Sequence, residues 1–240
     1  MEKDMEKTDI ITVSNPKSPI AEAYRTLRTN IQFSSFDKSV QTVSITSSGP
    51  GEGKSTIASN LAVVTAESGK KTLLIDCDQR KPMIHKIFNQ SNLVGLSNLL
   101  AGEVTFENAI KPTAMENLSI MTAGTRPPNP SELLASAKMK HFVEDMKEKY
   151  DFIVFDTPPV LIVTDAQLLA DYTDGYLLVV SSGAAEKNAA MKAKELLENV
   201  NAKILGVVLN NLDVNESSYY GYYYQYYYAE QPLKTQRKRK

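Results

Sequence analysis

Residues 42–66 read TVSIT-SSGPGEGKST-IASNLAVVTA, and this stretch decides the fold class. A short β-branched run, a glycine-rich loop and a helical pattern follow one another, which is typical of a strand, a phosphate-binding loop and a helix. Glycines in such a loop let backbone N–H groups converge on phosphate oxygens, and the helix adds its positive end. We therefore predict that these residues bind nucleotide phosphates: Gly49, Pro50, Gly51, Glu52, Gly53, Lys54, Ser55 and Thr56.

Two side chains of the loop carry specific chemistry. Lys54 is a mobile cation for the β and γ phosphates, and the Ser55 hydroxyl can ligate Mg²⁺. Ser48 stands where the usual G-x-x-x-x-G-K-[ST] pattern has its first glycine. Because the short G-K-[ST] string also occurs by chance, its place between a strand and a helix is what indicates a nucleotide site.

The rest of the chain repeats the alternation of strand and helix. We predict further strands at 72–76, 118–122, 152–156, 176–180 and 204–210, and helices at 54–68, 130–149 and 184–199. Several strands are apolar at successive positions, as expected where helices cover both faces of a parallel sheet. The sequence predicts one α/β domain of the P-loop NTPase type, doubly wound and mostly parallel. It would occupy residues 19–212, between a polar segment at 1–18 and a flexible tyrosine-rich and basic tail at 213–240.

Composition and charge exclude several classes of protein. The chain has 240 residues and a single cysteine, Cys77, so an intramolecular disulfide is impossible and a reducing compartment is expected. The start MEKDMEKTD is too charged for a signal peptide, and no apolar stretch approaches the roughly 20 residues of a membrane helix. The net charge of −1 divides into +4 for the last twelve residues and −5 for the others, which argues against nucleic-acid binding by the body.

Acidic residues end two of the predicted strands. Asp76 ends the strand at 72–76 and is followed closely by Asp78, and Asp156 ends the strand at 152–156. The carboxyl ends of parallel strands share one edge, where ligands bind, so these carboxylates should converge near Lys54 and Ser55. Ser55 and Asp156 would hold Mg²⁺, with Asp78 supporting its water shell. The alternative is that the aspartates cap helices or pair with the basic residues that follow Asp78.

A tyrosine cluster follows the last strand. That strand should end near Asn210, at the edge of the phosphate loop, so the segment leaving it begins beside the site. Its tyrosines are placed to accept a phosphoryl group, and its reach permits entry into its own site or a neighbour's. The alternative is an aromatic segment used for contacts. The proposed acceptors are Tyr219, Tyr220, Tyr222, Tyr223, Tyr224, Tyr226, Tyr227 and Tyr228.

Near the N-terminus, residues 19–33 form an amphipathic helical pattern, with apolar Ile20, Tyr24, Leu27 and Ile31 on one face. The pair Glu22 and Arg25 lies three residues apart. Two interpretations are open: a local pair along the helix, or a contact with another subunit.

Together, these motifs resemble the bacterial tyrosine kinases of capsule and exopolysaccharide synthesis, of the cytoplasmic kind that works beside a separate membrane adaptor. The likeness extends from about Ile11 to Tyr228. Its motifs are Ser48-GPGEGKS, Asp76-x-Asp78-x-Arg80-x-Pro82, Asp156-Thr157-Pro158-Pro159, Pro127-PNPSELL, Glu22-x-x-Arg25-x-x-Arg28 and the tyrosine cluster.

The resemblance implies an ATP- and Mg²⁺-dependent protein-tyrosine kinase that regulates capsule or exopolysaccharide synthesis. It implies phosphorylation of the tyrosine cluster between subunits of a ring-like homo-oligomer, with contacts from Glu22, Arg25 and Arg28. A membrane adaptor that activates the kinase, peripheral attachment through it and a cognate tyrosine phosphatase are implied as partners and location. The catalytic residues would be Lys54, Asp76, Asp78 and Asp156, with Asp76 orienting the acceptor hydroxyl and taking its proton late.

Two other functions remain open on the sequence. One is a nucleotide-switched ATPase like those of partition and division-site placement, MinD and ParA, which positions a partner without modifying protein. Their loop carries a lysine ahead of its paired glycines, where this sequence has Gly49 and Pro50. The other is an interaction module without catalysis. Incubation with γ-labelled ATP and mapping of the labelled residues would separate all three.

Overall fold

The computed structural model describes residues 10–34, 39–183 and 185–212. The charged start at residues 1–9 lies outside the described residues. The predicted tail at 213–240 also lies outside them, and with it all eight proposed acceptor tyrosines and the basic C-terminal residues.

The described chain alternates between seven strands and ten helices along most of its length. The strands are β1 (Thr42–Ser47), β2 (Thr72–Asp76), β3 (Ile110–Pro112), β4 (Leu118–Met121), β5 (Phe152–Asp156), β6 (Gly175–Ser181) and β7 (Ile204–Asn210). The helices are α1 (Ile11–Ser14), α2 (Pro19–Phe33), α3 (Lys54–Glu67), α4 (Ile84–Ile87), α5 (Leu96–Ala101), α6 (Phe106–Ala109), α7 (Pro130–Leu134), α8 (Ala137–Lys149), α9 (Asp165–Leu168) and α10 (Lys187–Glu198).

The strands form one sheet in the order β3-β4-β2-β5-β1-β6-β7. All neighbours are parallel except β3 and β4, which are antiparallel. The predicted doubly wound, mostly parallel fold is therefore confirmed. Every residue of β1, β2 and β5 is buried, because these central strands are covered on both faces. This explains the unbroken apolar runs of β2 and β5, whereas β1 alternates apolar and hydroxyl side chains.

The structure differs from the predicted elements in several places: the short helices α4, α5, α6 and α9 were not predicted, and α10 begins at Lys187 and not at 184. The predicted helix at 130–149 is two helices, because the Ser136 hydroxyl accepts a hydrogen bond from the Met139 N–H at 3.2 Å and begins α8 separately. The edge strand β3 was not predicted, since three residues ending in Pro112 give no strand pattern. The short helix α1 lies within the predicted polar segment, where the Thr12 hydroxyl donates to Asn60 Oδ1 at 2.9 Å.

Helix α3 connects the sheet to the N-terminal helices. Eleven of its fourteen residues are buried, because it packs on the sheet with one side and against α1 and α2 with the other. Helix α2 begins at Pro19 with Ser18 as its cap, whose hydroxyl accepts from the Ala21 N–H at 3.1 Å. Within the described ranges, no helix is both long and apolar enough to span a bilayer.

Candidate active site

The loop between β1 and α3 presents a row of backbone donors. Gly51 and Gly53 have φ angles of +79° and +94°, a left-handed conformation that side chains with a Cβ rarely adopt. The N–H groups of residues 51–56 donate to no acceptor among the described residues. Successive N–H groups at a helix start form a site for an anion, so the loop has the geometry that nucleotide phosphates require.

Lys54 is the centre of the charged cluster. Its Nζ atom lies 3.0 Å from Asp78 Oδ2, 3.7 Å from Asp156 Oδ1 and 3.4 Å from the Ser55 hydroxyl. Burial alone would lower the pKa of Lys54, but the negative charges of Asp156 and Asp78 raise it above the ordinary lysine value. The lysine therefore stays a cation at neutral pH, as binding to phosphate requires.

Asp156 is fully buried at the carboxyl end of β5. Neither of its carboxylate oxygens has a hydrogen-bond partner of normal geometry in the described part of the chain. Burial raises the pKa of Asp156 by more than the Lys54 cation and the Ser55 hydroxyl lower it. A buried carboxylate with free lone pairs is costly unless a cation binds it, so Asp156 is poised to take a metal or its bound water.

Asp76 lies at the matching end of β2, opposite Asp156 in the register of the two strands. Its oxygens accept three backbone hydrogen bonds, from Asp78 at 3.1 Å and from Met83 and Ile84 at 3.0 Å each. Burial raises the pKa of Asp76 well above the ordinary value, and the charge of Asp156 raises it further. Asp76 thus organises the loop after β2 and also adds negative charge beside Lys54.

The residues present fit Mg²⁺ with a nucleotide. Three carboxylates and one ammonium give this cluster a formal charge of −2, which would repel a metal-free polyphosphate and attract a divalent cation. The described residues contain no cluster of three or more acidic, histidine or cysteine side chains arranged to hold a metal by themselves. That agrees with Mg²⁺, which commonly uses one or two carboxylates, waters and substrate phosphates as ligands.

Two groups of contacts at this edge were not predicted from the sequence. Arg80 Nη2 lies 2.9 Å from the Ser131 hydroxyl and 3.3 Å from Asp165, and Ser131 donates to Asp165 at 2.7 Å. This triangle joins the loops that follow β2, β4 and β5. The second group connects Glu52 to the ends of β6 and β7. The end of β7 near this loop was predicted from the strand pattern, but no local pattern marks Asp165 or the Asn210 side-chain contact, because their partners are distant in sequence.

The three charged residues predicted for subunit contact lie on α2. Arg25 pairs with Glu22 at 3.1 Å and donates to the Pro16 carbonyl at 2.9 Å. Arg28 donates to the Val64 carbonyl of α3 at 2.7 Å. Their contacts in the described residues are thus within one chain, and their role between subunits stays a prediction.

The chain is similar to known proteins over most of its length. A sequence profile of the AAA domain family matches residues 40–213. The tyrosine-protein kinase YwqD of Bacillus subtilis is 48% identical to this chain over 215 residues, which cover 90% of the chain and 91% of YwqD. The crystal structure of the chimerical protein CapA2B2 is 47% identical, covers 85% of this chain and 89% of its own, and superimposes with a TM-score of 0.82.

The division-site ATPase fold is a more distant relative. The septum site-determining protein MinD of Pyrococcus horikoshii, complexed with Mg-ADP, is 28% identical over 70% of this chain and 69% of its own, with a TM-score of 0.61. Its similarity is lower than that of the kinases in identity, coverage and superposition. The alternative of a nucleotide-switched ATPase is therefore the weaker one.

Proposed function

The chain belongs to the AAA domain family and, within it, to the capsule-related bacterial tyrosine-protein kinases. We propose that it transfers the γ-phosphoryl group of Mg·ATP to tyrosines of its own C-terminal cluster. The observation that carries this proposal is the convergence of Lys54, Asp78 and Asp156 beside a loop of free N–H donors. The side chain of Asn210, the last residue of β7, donates to the Glu52 carbonyl of the same loop, so the strand that precedes the tyrosine cluster in sequence ends beside the site.

Nucleotide binding would use the contacts described above. The N–H groups of residues 51–56 and the Lys54 ammonium would hold the phosphates, with Ser55 and Asp156 as metal ligands and Asp78 supporting the metal's water shell. Bound Mg²⁺ would supply charge neutralisation on the β and γ phosphates. In a loose transition state, positioning and neutralisation of charge account for most of the catalysis, and Lys54 contributes to both.

The proton of the acceptor tyrosine needs a base. Unperturbed tyrosine and aspartate differ by about 6 pKa units, so full transfer before attack would cost about 8 kcal/mol. Asp76 is the proposed base; burial raises its pKa, but both of its oxygens already accept backbone N–H groups, so it would have to use a remaining lone pair. Asp76 would orient the acceptor hydroxyl and take its proton late, after the bond between the γ-phosphorus and the departing ADP oxygen has weakened.

The partners follow from family membership. We assign to this kinase a membrane adaptor that activates it, peripheral attachment to the membrane through that adaptor, and a ring-like homo-oligomer in which one subunit phosphorylates the tail of another. A cognate tyrosine phosphatase would reverse the reaction. The family likeness is the support for each of these assignments.

Mapping of the labelled residues tests the proposed activity. After incubation of the purified chain with Mg²⁺ and γ-labelled ATP, phosphotyrosine should appear within 219–228 and not at Tyr24 or Tyr176. Tyr24 and Tyr176 are buried, and burial raises the pKa of each to about 12, so neither can meet a phosphate or lose its proton. Mass spectrometry locates the label; phosphate release without any phosphotyrosine would instead support the ATPase switch.

Phosphorylation should also loosen the oligomer. Each phosphotyrosine adds about −1.5 to −2 charges, so eight would add roughly −12 to −16 to a body of net charge −5. We expect the mass from light scattering to fall after incubation with Mg·ATP, and to stay constant with a non-hydrolysable analogue. An unchanged mass after complete labelling would contradict this expectation.

A further inference from the structure

Glu52 is an acidic residue buried inside the phosphate loop, with 6% of its surface exposed. Its Oε1 atom accepts hydrogen bonds from the Ser48 hydroxyl and from the Gly49 N–H. Its Oε2 atom faces the Ser181 N–H at 3.3 Å, at the end of β6. A carboxylate that accepts three donors from two separate segments holds those segments together, and its side chain points away from solvent.

The end of β7 also contacts Glu52, through the Glu52 backbone carbonyl. Asn210 Nδ2 donates to the Glu52 carbonyl at 2.9 Å. Asn210 and Ser181 are paired across β6 and β7, and the Asn210 carbonyl accepts from the Ser182 N–H at 2.8 Å. The Asn210 amide also occupies the space that a Cβ on Gly53 would need. Thus the loop is braced against the two strand ends as well as joined to β1 and α3.

From these contacts we propose that Glu52 and Asn210 are positioning residues that couple the phosphate loop to the root of the tyrosine tail. The coupling is short in sequence, since Asn210 is separated from the first tail residue, Asp213, by two residues. A change in loop conformation moves the Glu52 carbonyl and therefore the Asn210 side chain. We call the contacts of Glu52 with Ser181 and Asn210 the brace. This inference rests on the proposed function, because it gives the brace a role in presenting the tail to the site.

Asn210→Asp is the sharpest single test. The change preserves size but replaces the donating amide by a carboxylate, which faces the Glu52 carbonyl without a proton to share. Loss of one such hydrogen bond corresponds to about a fivefold change in an equilibrium constant, here that of ATP binding, and the new repulsion between the carboxylate and the carbonyl adds to this change. We expect the KM for ATP to rise about tenfold, and tail labelling at saturating ATP to fall about fivefold or more.

An added substrate separates the two effects. A soluble copolymer of glutamate and tyrosine is labelled by the same full-length variant at saturating ATP. If the brace presents the tail, labelling of the copolymer should stay within twofold of the unchanged chain while tail labelling falls. Equal loss for both substrates would overturn the coupling and leave only a structural role. Asn188→Asp, on the exposed surface of α10, is the matched control and should change neither.

A double-mutant cycle tests the brace independently. In Gly53→Ala, the added Cβ is strained by the positive φ and also collides with the Asn210 amide. When Asn210 is replaced by alanine as well, the collision is removed and only the strain of the positive φ remains. The double variant should therefore bind a fluorescent ATP analogue no more weakly than Gly53→Ala, although Asn210→Ala alone weakens binding about fivefold. Additive losses would contradict the contact.

These outcomes are distinct from failure of the proposed function. If the unchanged chain labels no tyrosine in either substrate, the kinase proposal fails, and the double-mutant cycle still reports on the brace through nucleotide binding. Suppose instead that the unchanged chain labels its tail, and that Asn210→Asp and Glu52→Gln match it in labelling rate, ATP affinity and melting temperature. The brace would then have no positioning role.

Discussion

A Lys54→Met variant should label its tyrosine tail at least about 100-fold more slowly than the unchanged chain. Methionine keeps much of the length and apolar character of the lysine stem but carries no charge. The phosphates would then lose the one side-chain cation that the described residues place at 3.0 Å from Asp78 and 3.7 Å from Asp156. Initial rates with γ-labelled ATP, normalised to protein, give the measurement.

The same change should weaken the fold at neutral pH. Removing Lys54 leaves three carboxylates near one another without a compensating cation, and a buried charge left unpaired costs several kcal/mol. The melting temperature of the nucleotide-free variant should fall, and added Mg²⁺ should restore part of it. Lys140→Met, on the exposed side of α8, is the control. Full labelling by a folded Lys54→Met chain would refute this active site.

An Asp156→Asn variant should combine loss of activity with gain of stability. Without the carboxylate, the proposed Mg²⁺ site would lose one of its ligands, and we expect labelling to fall by about 100-fold or more. Yet the formal charge of the cluster falls from −2 to −1, while Lys54 keeps its pair with Asp78 at 3.0 Å. The nucleotide-free variant should therefore melt higher, by about 2–4 °C for each kcal/mol of unfolding free energy gained.

The pH dependence of this gain has a definite sign. Because burial raises the pKa of Asp156 above the ordinary value of 3.8, the folded state holds a proton more readily than the unfolded state. The charged carboxylate destabilises the unchanged chain at pH values above the raised pKa, and protonation removes this cost as the pH falls. The difference in melting temperature between variant and unchanged chain should thus be largest near neutral pH and shrink towards pH 4. A variant less stable than the unchanged chain at pH 7–8 would contradict this account.

The sequence was sufficient to predict the parallel sheet and the edge where the charges meet. The apolar runs of β2 and β5 reflect burial on both faces. The rule that parallel strands end at one edge then brings Asp76, Asp78 and Asp156 near Lys54 without any knowledge of side-chain contacts. These inferences succeed because they depend on local patterns and on one topological rule.

Other features required three-dimensional contacts. The break between α7 and α8 depends on the Ser136 cap competing with a continuous helical pattern. The use of both Asp76 oxygens on the loop after β2 follows from where Met83 and Ile84 turn back, which no spacing indicates. Glu52 was predicted as one of the phosphate-binding loop residues, but its contacts with Ser181 and Asn210 could not be predicted, because these partners lie more than 120 positions away.

Helix α3, enclosed on nearly every side, has a consequence for engineering this enzyme. Its buried residues leave little freedom to rotate or shift, so the seat that it forms for the phosphates is rigid. Libraries that seek altered nucleotide selectivity should therefore keep α3 unchanged, together with the aspartates that end β2 and β5, and diversify exposed positions of the loops that follow these strands. Arg80 should also be kept, because its removal would leave the buried Asp165 carboxylate without its cation, whereas an exposed side chain such as Lys81 can be replaced.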